Sequence, residues 1–400
     1  MKPSIHLLQE SEIPPQRFFT KLFTHSYLSR LRFINRRNIQ FIILWAYLLA
    51  NYACVKEVPI TEGHGTQLHE ETDVYVAGNY QNALTISTKP GFVAAYWKNG
   101  NYIPLTDGLT IADARSIAAT RHDVYVAGVI GNQAAFWVNG NYIKLTDGKA
   151  PSVANSIFLS GNDIYVGGSE GSMAKYWMNG KVVTLGEGSI TSIFVERNNV
   201  YAAGQNGNNE GGYWKNGDWI PILDVNGNRM TFVSSIVVEG HDVYVAGAVI
   251  IGKSGETIAT YWKNGVPIYL DDPTSPYFTF GSFAHSIALS GKDIYVCGSG
   301  VPYGSVAVYW KNGVLTFLPG IDAGSDANSI AISGNDVYIA GFDFNPALSQ
   351  AALWKNGVHG TLFGQPGNLT TQARANCVFI LKSDVRDDHE IKYFQGNEKY

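Results

Sequence analysis

Two short segments alternate seven times along this chain, and their spacing constrains the fold more than any other feature. The first is Asp-Val-Tyr-Val-Ala-Gly or a close variant, and the second is Trp-x-Asn-Gly. Successive first segments begin roughly 44 residues apart, a period that is typical of β-propellers, in which each repeat forms one blade of a ring. The repeated aromatic residues are Tyr75, Tyr125, Tyr165, Tyr201, Tyr244, Tyr295 and Tyr338, then Trp97, Trp137, Trp177, Trp214, Trp262, Trp310 and Trp354.

Each repeat also contains four segments that favour short β-strands. In order they are Ala-x-Ser-Ile, Val-Tyr-Val-Ala-Gly, a segment ending in Tyr-Trp or a relaxed version, and a segment that follows the Asn-Gly turn. Asn-Gly is a strong hairpin signal because both residues tolerate positive φ. The sequence therefore predicts an all-β fold, a seven-bladed β-propeller with four antiparallel strands per blade.

The two ends of the repeat region predict how the ring closes. Nothing before Asp73 resembles the Ala-x-Ser-Ile strand, whereas one extra copy remains at residues 375–379. We therefore expect this C-terminal strand to pair with residues 74–77 and to complete the first blade from both ends of the chain. A ring joined in this way leaves no blade with an open face.

The repeated Tyr and Trp residues have two interpretations. Some lectin propellers stack one sugar on an aromatic residue in each blade, but packing between blades also requires aromatic residues at identical positions. A small residue stands three positions before each Trp, which favours packing of large side chains against small ones. These small residues are Ala94, Ala134, Ala174, Gly211, Ala259, Ala307 and Ala351.

Residues 1–53 differ from the repeats and are typical of a secretory signal. Arg30 to Arg37 form a basic region, and the apolar run at residues 41–50 is shorter than the ~20 residues that a membrane-spanning helix needs. Cys54 resembles the lipidated cysteine of a bacterial lipoprotein; secretion without lipid and an uncleaved anchor are the alternatives. We expect a signal peptide over 1–53, a linker over 54–70, the propeller over 71–383 and a polar tail over 384–400.

Charge and cysteine content narrow the choice of partner and location. The net charge of −4 falls to about −9 without residues 1–53, which hold seven basic and two acidic residues. This argues against DNA, RNA or anionic lipid as the main partner. Cys297 and Cys377 lie in different repeats, so we expect two free thiols. We expect a monomer anchored in the cell envelope, periplasmic or on the outer-membrane surface, or otherwise secreted.

The segments Asp-Val-Tyr-Val-x-Gly and Tyr-Trp-x-Asn-Gly together resemble the repeats of secreted propeller lipoproteins of bacterial, Bacteroidetes-like type. The resemblance covers all seven repeats and implies the fold without implying an activity. The chain lacks the Gly-His and Trp-Asp pair of WD40 repeats, a Gly-Gly pair that recurs in every repeat as in kelch proteins, and the Ser-x-Asp-x-Gly-x-Thr-Trp box of sialidases. The absence of the sialidase box argues against a glycosidase of the sialidase type.

One polar position in the Ala-x-Ser-Ile strand changes identity from repeat to repeat while its neighbours stay small or aliphatic. If this strand is innermost, the position lies near the mouth of the central channel, where propellers usually bind ligands. Such a pattern favours a non-repeating binding site on a repeating scaffold, although side chains that only hold channel water are an equal alternative. The seven residues are Arg115, Asn155, Thr191, Ser234, His285, Asn328 and Asn376.

Aromatic residues in a long loop extend this candidate site. Tyr277, Phe278 and Phe280 precede the strand of His285, and Tyr303 follows in the next repeat. Together they predict an aromatic wall suited to a sugar face or a peptide side chain, unless they pack the loop onto the ring.

Signals for catalysis and for bound metal are weak. Acidic residues near the strand starts, with His285, suit acid–base chemistry, but no pair has a spacing that fixes its geometry. Asp224-x-Asn226-x-Asn228 superficially resembles a calcium loop, yet Arg229 stands where Gly is required, so a polar turn is the favoured interpretation. We expect no cofactor and no metal. The acidic residues near the strand starts are Asp113, Glu187, Asp322 and Asp326.

These observations favour an envelope protein that recognises a glycan or a protein partner at the channel mouth. The alternative from a different class is a propeller lyase or hydrolase that acts on a polysaccharide or a small lactone, using His285 and Arg115 with an acid such as Asp322. A structural envelope protein without a small ligand is a third possibility.

Overall fold

The chain divides into two compact units, Met1–Thr66 and Gln67–Tyr400, and the described strands belong to the second. The predicted signal peptide and Cys54 lie outside the described residues. The described residues form no helix, and therefore no helix that is long and apolar enough to cross a membrane. The computed structural model describes residues 68–82, 91–229, 231–251, 256–272, 281–300, 306–320, 324–344, 349–363 and 370–386.

Twenty-seven strands account for most of the described chain. In chain order they are β1 (Leu68–Asn82), β2 (Phe92–Lys98), β3 (Asn101–Pro104), β4 (Ala112–Ala119), β5 (Val124–Ile130), β6 (Gln133–Val138), β7 (Asn141–Lys144), β8 (Ser152–Ser160), β9 (Asp163–Glu170), β10 (Met173–Met178), β11 (Lys181–Glu196), β12 (Asn199–Asn206), β13 (Gly211–Lys215), β14 (Asp218–Pro221), β15 (Thr231–Glu239), β16 (Asp242–Ile251), β17 (Glu256–Lys263), β18 (Val266–Tyr269), β19 (Phe283–Ser290), β20 (Asp293–Gly300), β21 (Val306–Lys311), β22 (Val314–Phe317), β23 (Gly324–Ser333), β24 (Asp336–Phe344), β25 (Ser349–Lys355), β26 (Val358–Leu362) and β27 (Thr370–Arg386).

Antiparallel pairing arranges these strands into four-stranded sheets, three of them separate and four joined in pairs. The long strand β11 joins two sheets because its first half pairs with β10 and its second half with β12. One parallel bridge, Ser349 to Gln372, joins β25 to β27. This confirms the predicted all-β class with four antiparallel strands per repeat. We number the sheets as group 1 (β27-β1-β2-β3), group 2 (β4–β7), group 3 (β8–β10 and the start of β11), group 4 (the end of β11 and β12–β14), group 5 (β15–β18), group 6 (β19–β22) and group 7 (β23–β26).

Group 1 is built from both ends of the described chain. Strand β27 pairs with β1 in a register that places Ile380 opposite Val74 and Cys377 opposite Ala77. The predicted pairing of the C-terminal strand is therefore confirmed, and it continues outward to Arg386 opposite Leu68. Because these strands are about 300 residues apart in sequence, their contact is the longest-range pairing that the described residues make.

The hydrophobic core lies between the faces of neighbouring groups. Groups 5 and 6 share a cluster that contains Ala246 and Trp310, and groups 7 and 1 share one that contains Trp97 and Ala351. Equivalent clusters join all the remaining pairs of consecutive groups, namely 1 and 2, 2 and 3, 3 and 4, 4 and 5, and 6 and 7. Each sheet is covered on both faces, which explains why its second strand is apolar on both sides.

All seven repeated tryptophans are buried, six at 2% exposure or less and Trp214 at 4%. This confirms the packing interpretation and removes these residues as a set of exposed sugar platforms. Three indole N–H groups donate 2.7 Å hydrogen bonds to backbone carbonyls of the preceding neighbour: Trp97 to Phe363, Trp262 to Leu223 and Trp354 to Pro319. The small residue three positions before each Trp is also buried, as predicted.

In groups 2 to 7, a serine in the first strand hydrogen-bonds the first strand of the next group, which for group 7 is β27 of group 1. Ser116 Oγ accepts from the Ile157 N–H at 3.1 Å, and Ser329 Oγ accepts from the Val378 N–H at the same distance. The serines of groups 3 to 6 make the same bond at 3.1–3.4 Å. In β27 a cysteine replaces the serine, and Cys377 Sγ lies 4.0 Å from Ser116 Oγ. Contacts between first strands therefore run from each group to the next, and from β27 of group 1 to β4 of group 2.

The ends of the groups that carry the Asn-Gly turns, which we call the turn end, repeat one polar cluster. In group 5, Asn264 Nδ2 donates to Asp242 Oδ1 at 2.8 Å, and Lys263 Nζ lies 2.8 Å from Asp242 Oδ2 and 5.1 Å from the centre of the Tyr244 ring. Asn264 Oδ1 also accepts the Val243 N–H at 2.8 Å. The turn asparagine has positive φ in every repeat, as the Asn-Gly signal predicts, namely at Asn99, Asn139, Asn179, Asn216, Asn264, Asn312 and Asn356.

Candidate binding site

Every one of the seven sequence-predicted polar residues occupies the extra position of a β-bulge. In group 2, for example, Ala114 pairs with Gly128 and Ser116 with Ala127, so Arg115 has no partner on the second strand. A bulge turns a side chain out of the regular alternation, which is a common device beside binding sites. We call the end of the groups that carries these seven residues the bulge end, opposite the turn end. The other register shifts flank Asn155, Thr191, Ser234, His285, Asn328 and Asn376.

Arg115 is the centre of a polar network that joins groups 1, 2 and 3. Its Nε donates to Asp113 Oδ2 at 3.1 Å, and its Nη1 donates to Asn155 Oδ1 at 2.7 Å. Asp113 Oδ1 also accepts from Nδ2 of Asn79 and of Asn376, both at 2.7 Å. Because the carboxylate is satisfied on both oxygens by its neighbours, this network holds adjacent groups together as well as shaping the surface.

Three further bulge residues bond to the backbone of the neighbouring group. Asn155 Nδ2 donates to the Ile190 carbonyl at 2.7 Å, Thr191 Oγ1 to the Val233 carbonyl at 2.9 Å, and Asn328 Nδ2 to the Ala375 carbonyl at 2.9 Å. All of them remain half-buried, as does Ser234. These side chains thus use much of their hydrogen-bonding capacity on the protein's own backbone, which leaves less of it for a ligand.

Groups 5 to 7 present an aromatic sector at the bulge end. The rings of Phe232 and Phe283 lie 5.8 Å apart, and Phe283 stacks on His285 at 6.1 Å with an interplanar angle of 6°. His285 Nε2 lies 3.2 Å from Asp326 Oδ1 and 3.5 Å from Ser299 Oγ. Phe232 is 38% exposed and the other rings are half-buried, so this sector offers an apolar shelf beside a carboxylate and an imidazole.

The residue two positions before each bulge completes the surface. Asp113, Phe232, Phe283 and Asp326 hold this position in groups 2, 5, 6 and 7, and Arg374 holds it in group 1. The guanidinium Cζ of Arg374 lies 4.6 Å from the centre of the half-buried Phe342 ring, a cation–π contact. Like the bulge position, this position differs between groups although its backbone setting repeats.

Sequence reasoning found the bulge position but missed Phe232 and Arg374. The sequence could have indicated both residues, because each stands two positions before one of the seven polar residues. Asp113 and Asp326 occupy the same position in their own repeats. Tyr277, Phe278, Phe280 and Tyr303 lie outside the described residues, as does Asp322. Arg115 contacts groups 1 to 3 and His285 contacts groups 6 and 7, so the described contacts do not bring these two proposed catalytic residues together.

The calcium-like segment forms a polar turn. Asp224 Oδ1 accepts the backbone N–H groups of Asn226 and Asn228 at 2.8 Å, and Oδ2 accepts from Asn228 Nδ2 at 2.7 Å. These bonds help to hold the pKa of Asp224 below its usual value despite the opposing effect of burial. Within the described residues, no cluster of three or more His, Cys, Asp or Glu side chains is arranged to hold a metal ion.

Cys297 and Cys377, the cysteines among the described residues, are free thiols; Cys297 is buried and Cys377 half-buried. Burial raises the pKa of the Cys297 thiol, and the nearby Asp326 carboxylate raises it further. The thiol therefore stays protonated at neutral pH, which makes it a poor nucleophile although it lies close to the aromatic sector.

A cleft of about 610 Å³ lies at the same end of groups 2 and 3, outside the bulge surface. Its lining includes Thr110, Ile130 and Tyr142, and the neighbouring Leu109 and Ile111 are 81% and 59% exposed. None of the seven bulge residues lines it.

Neither a protein-family model nor a curated protein matches this chain. Among solved structures, the chain is similar to a puromycin-hydrolysing peptidase of Mycobacterium tuberculosis, with 12% sequence identity and a TM-score of 0.47. The similarity covers 76% of this chain and 54% of that chain, so this chain spans about half the length of the peptidase. A similarity of this size carries no argument about activity.

Proposed function

We propose that the seven groups are the blades of a closed β-propeller and that its bulge end is a binding surface. Three observations support the ring: apolar clusters between all consecutive groups, including 7 and 1; the chain of serine hydrogen bonds; and the pairing of β27 with β1. In such a ring, β4, β8, β15, β19, β23, β27 and the end of β11 line the channel, and the bulges surround its mouth.

The observation that carries the binding function is a repeated backbone that presents different side chains. Each group has the same bulge, yet the side chains there and two positions earlier include two arginines, two aspartates, a histidine and two phenylalanines. A position under selection for packing alone repeats, as the tryptophans do, whereas these positions vary in charge and size. Variable residues on a rigid scaffold are typical of a recognition surface.

A glycan fits the aromatic sector better than a protein partner does. Sugars present apolar C–H faces that pack on aromatic rings, together with hydroxyl groups that bond to carboxylates, amides and imidazoles. Phe232 and Phe283 supply the rings, and Asp326 and His285 supply polar groups within the same sector. A protein partner remains the alternative.

The location of this binding module is proposed from the sequence. The basic and apolar segments of residues 1–53 and the cysteine at position 54 support secretion followed by lipid anchoring in the cell envelope. The negative charge of the remaining chain supports a role that involves neither nucleic acid nor anionic lipid surfaces. We propose a monomer.

One contact favours the enzymatic alternative enough to test it. Nε2 of His285 lies 3.2 Å from Oδ1 of Asp326, which places an imidazole and a carboxylate, the two groups that acid–base catalysis uses most often, side by side. Substituting His285→Ala separates the two functions. A binder loses affinity modestly, whereas a lyase or hydrolase loses turnover by orders of magnitude and keeps its affinity for substrate.

The binding function is tested with a glycan array and thermal-shift screen of the wild-type protein and of a Phe232→Ala, Phe283→Ala double variant. Phe317→Ala, on the outer strand β22 and 52% exposed, is the matched control. We expect a glycan hit that the double variant loses and the control keeps. A hit that survives in the double variant would refute the aromatic sector as the site. No hit with any glycan would favour a protein partner or a structural role.

A further inference from the structure

Arg374 differs from the other charged residues of the bulge end in how it is held. Its guanidinium lies over the Phe342 ring, and the side chain is exposed. A stacked guanidinium keeps its N–H edge available, because the ring occupies the face of the group and not its edge. The stack also reduces the number of rotamers that a bound anion would have to fix.

The other charged groups of this surface have protein partners. Asp113 is bonded by Arg115 and by two asparagine amides, so its charge and that of Arg115 offset each other. Asp326 faces the imidazole of His285 at 3.2 Å. Among the described residues of the bulge end, Arg374 is thus the cation that contacts an aromatic ring and no described carboxylate.

A series of side-chain contacts and one cross-strand pair connects the aromatic sector to Arg374. Phe232 touches Phe283, which stacks on His285, which contacts Asp326 in the next group. Asp326 pairs across the strands with Phe342, the ring under Arg374. An apolar shelf, an imidazole beside a carboxylate, and a cation therefore follow one another around the bulge end.

We propose that the bulge end binds a carboxylated sugar, with Arg374 pairing the carboxylate and the Phe232–Phe283 shelf packing against the sugar ring. This inference rests on the proposed glycan-binding function and names its ligand class. A guanidinium binds a carboxylate through two parallel N–H···O bonds, which fixes the orientation of the acidic sugar. The pyranose face is apolar and matches an aromatic ring. His285 and Asp326 separate the shelf from Arg374, so one residue of a uronate oligomer pairs with Arg374 while another packs on the shelf; a neutral oligomer offers only the apolar faces.

The test measures binding of uronate trisaccharides and their neutral counterparts to the full chain by calorimetry. The probes are the trimers of galacturonate, glucuronate and mannuronate beside those of galactose, glucose and mannose. Two variants are compared with wild type, Arg374→Gln and Phe283→Ala. Arg121→Gln, in the exposed turn between β4 and β5 at the turn end, removes the same charge and is the control. Thermal unfolding verifies that each variant is folded.

We expect at least one uronate trimer to bind more tightly than its neutral counterpart. Arg374→Gln should weaken uronate binding about 10- to 100-fold, the usual effect of losing hydrogen bonds to a charged group, and leave the neutral sugar unaffected. Phe283→Ala should weaken both sugars about tenfold, and Arg121→Gln neither. Raising the salt concentration should weaken the uronate complex alone.

Three results would overturn the inference and distinguish it from the proposed function. If neutral and acidic sugars bind equally, or if Arg374→Gln leaves uronate binding unchanged while Phe283→Ala abolishes it, the site binds glycans without reading a carboxylate. If all six trimers fail to bind while another array glycan binds, the ligand class is wrong and the site stands. Failure of every glycan would overturn both.

Discussion

The two ends of the groups are built from the same seven repeats, yet they differ in what the repeats conserve. At the turn end, an aspartate, a tyrosine and a turn asparagine recur with nearly identical contacts, as in Asp293 with Asn312 at 2.8 Å and Asp336 with Asn356 at 2.8 Å. At the bulge end the backbone recurs and the side chains do not. Identical side chains in identical settings indicate a structural requirement, whereas different side chains in identical settings are what the proposed recognition surface requires.

Exceptions at the turn end support this distinction. Val138 and Met178 replace the lysine in groups 2 and 3, and Asn199 replaces the aspartate in group 4. In each case the asparagine of the turn still bonds the second strand, for example Asn216 Oδ1 with the Val200 N–H at 2.9 Å. The lysine is thus replaced in two groups while the asparagine is kept in all seven, as expected for a cluster that stabilises a hairpin turn.

The largest expected effect comes from removing the strand that joins the ends of the chain. Deleting residues 375–400 removes most of the pairing with β1 and the contacts that Cys377 and Val378 make with neighbouring groups. We expect loss of cooperative unfolding or a midpoint far below that of wild type, measured by circular dichroism during heating. Deleting residues 387–400 alone is the control and should leave the midpoint unchanged. If the chain without residues 375–400 unfolds cooperatively at the wild-type temperature, the pairing of β27 with β1 does not hold the proposed ring closed.

The second effect compares a repeated aromatic residue with a variable one. Trp262 is fully buried and donates to the Leu223 carbonyl, so Trp262→Ala should cost about 3–5 kcal/mol of stability. Phe232→Ala at the bulge end should change stability by only about 0.5 kcal/mol, since its ring is 38% exposed. Urea unfolding of both variants measures the difference. Equal losses would remove the distinction between structural and recognition aromatics.

The third effect concerns the turn asparagine. Asn312 has φ of 51°, its Oδ1 accepts the Ile294 N–H at 2.9 Å and its Nδ2 bonds Asp293. Asn312→Ala should cost about 2 kcal/mol, because it loses these bonds and places a Cβ in the left-handed region. Asn312→Gly loses the same bonds, but glycine adopts a positive φ without strain. Its loss of stability should therefore be about 1 kcal/mol smaller than that of Asn312→Ala. Urea midpoints that rank Gly below Ala would contradict this account.

The smallest effect is a dependence of stability on acid pH. The Lys263 hydrogen bond lowers the pKa of Asp242, and the Lys311 hydrogen bond lowers that of Asp293, from the usual 3.8. A lowered pKa in the folded state gives stability that is present above pH 3.8 and lost as the pH falls toward the folded-state values. Melting temperatures of an Asp242→Asn, Asp293→Asn variant between pH 2 and pH 6 should therefore depend less on pH below about 4.

The control for this experiment is Asp218→Asn at the exposed start of β14, which should keep the wild-type profile. A double variant whose melting temperature falls with acid as steeply as that of wild type would show that the turn-end carboxylates do not sense pH through their lysines.

The repeat predicted the strands, their order and the β27–β1 pairing because each rests on a local pattern, namely alternation, an Asn-Gly turn, or an unmatched copy at the C-terminal end. The seven bulges were not predicted, since no residue type marks them; Arg115, Thr191 and His285 share the position without sharing chemistry. The bond between Asn264 and Asp242 was also missed, because these residues are 22 positions apart and only the register brings them together.

Within the candidate site, the sequence predicted which column varies but not what its members contact. Asn328 and Asn376 were both predicted to contact a ligand. In the structure their side-chain amides donate to neighbouring groups, Asn328 to the Ala375 carbonyl and Asn376 to the Asp113 carboxylate. Phe232 and Arg374 gained their importance from neighbours in other repeats, Phe283 and Phe342, which no local pattern reveals.

The central claim is that the bulge end recognises a ligand and the turn end does not, and hydrogen–deuterium exchange tests it most directly. The protein is measured with and without a saturating glycan from the array or, failing a glycan, a protein captured from the envelope fraction. We predict new protection at residues 231–235, 283–287, 326–329 and 374–377, with none at the Asn-Gly turns. Protection confined to the turns, or spread equally over both ends, would contradict the account.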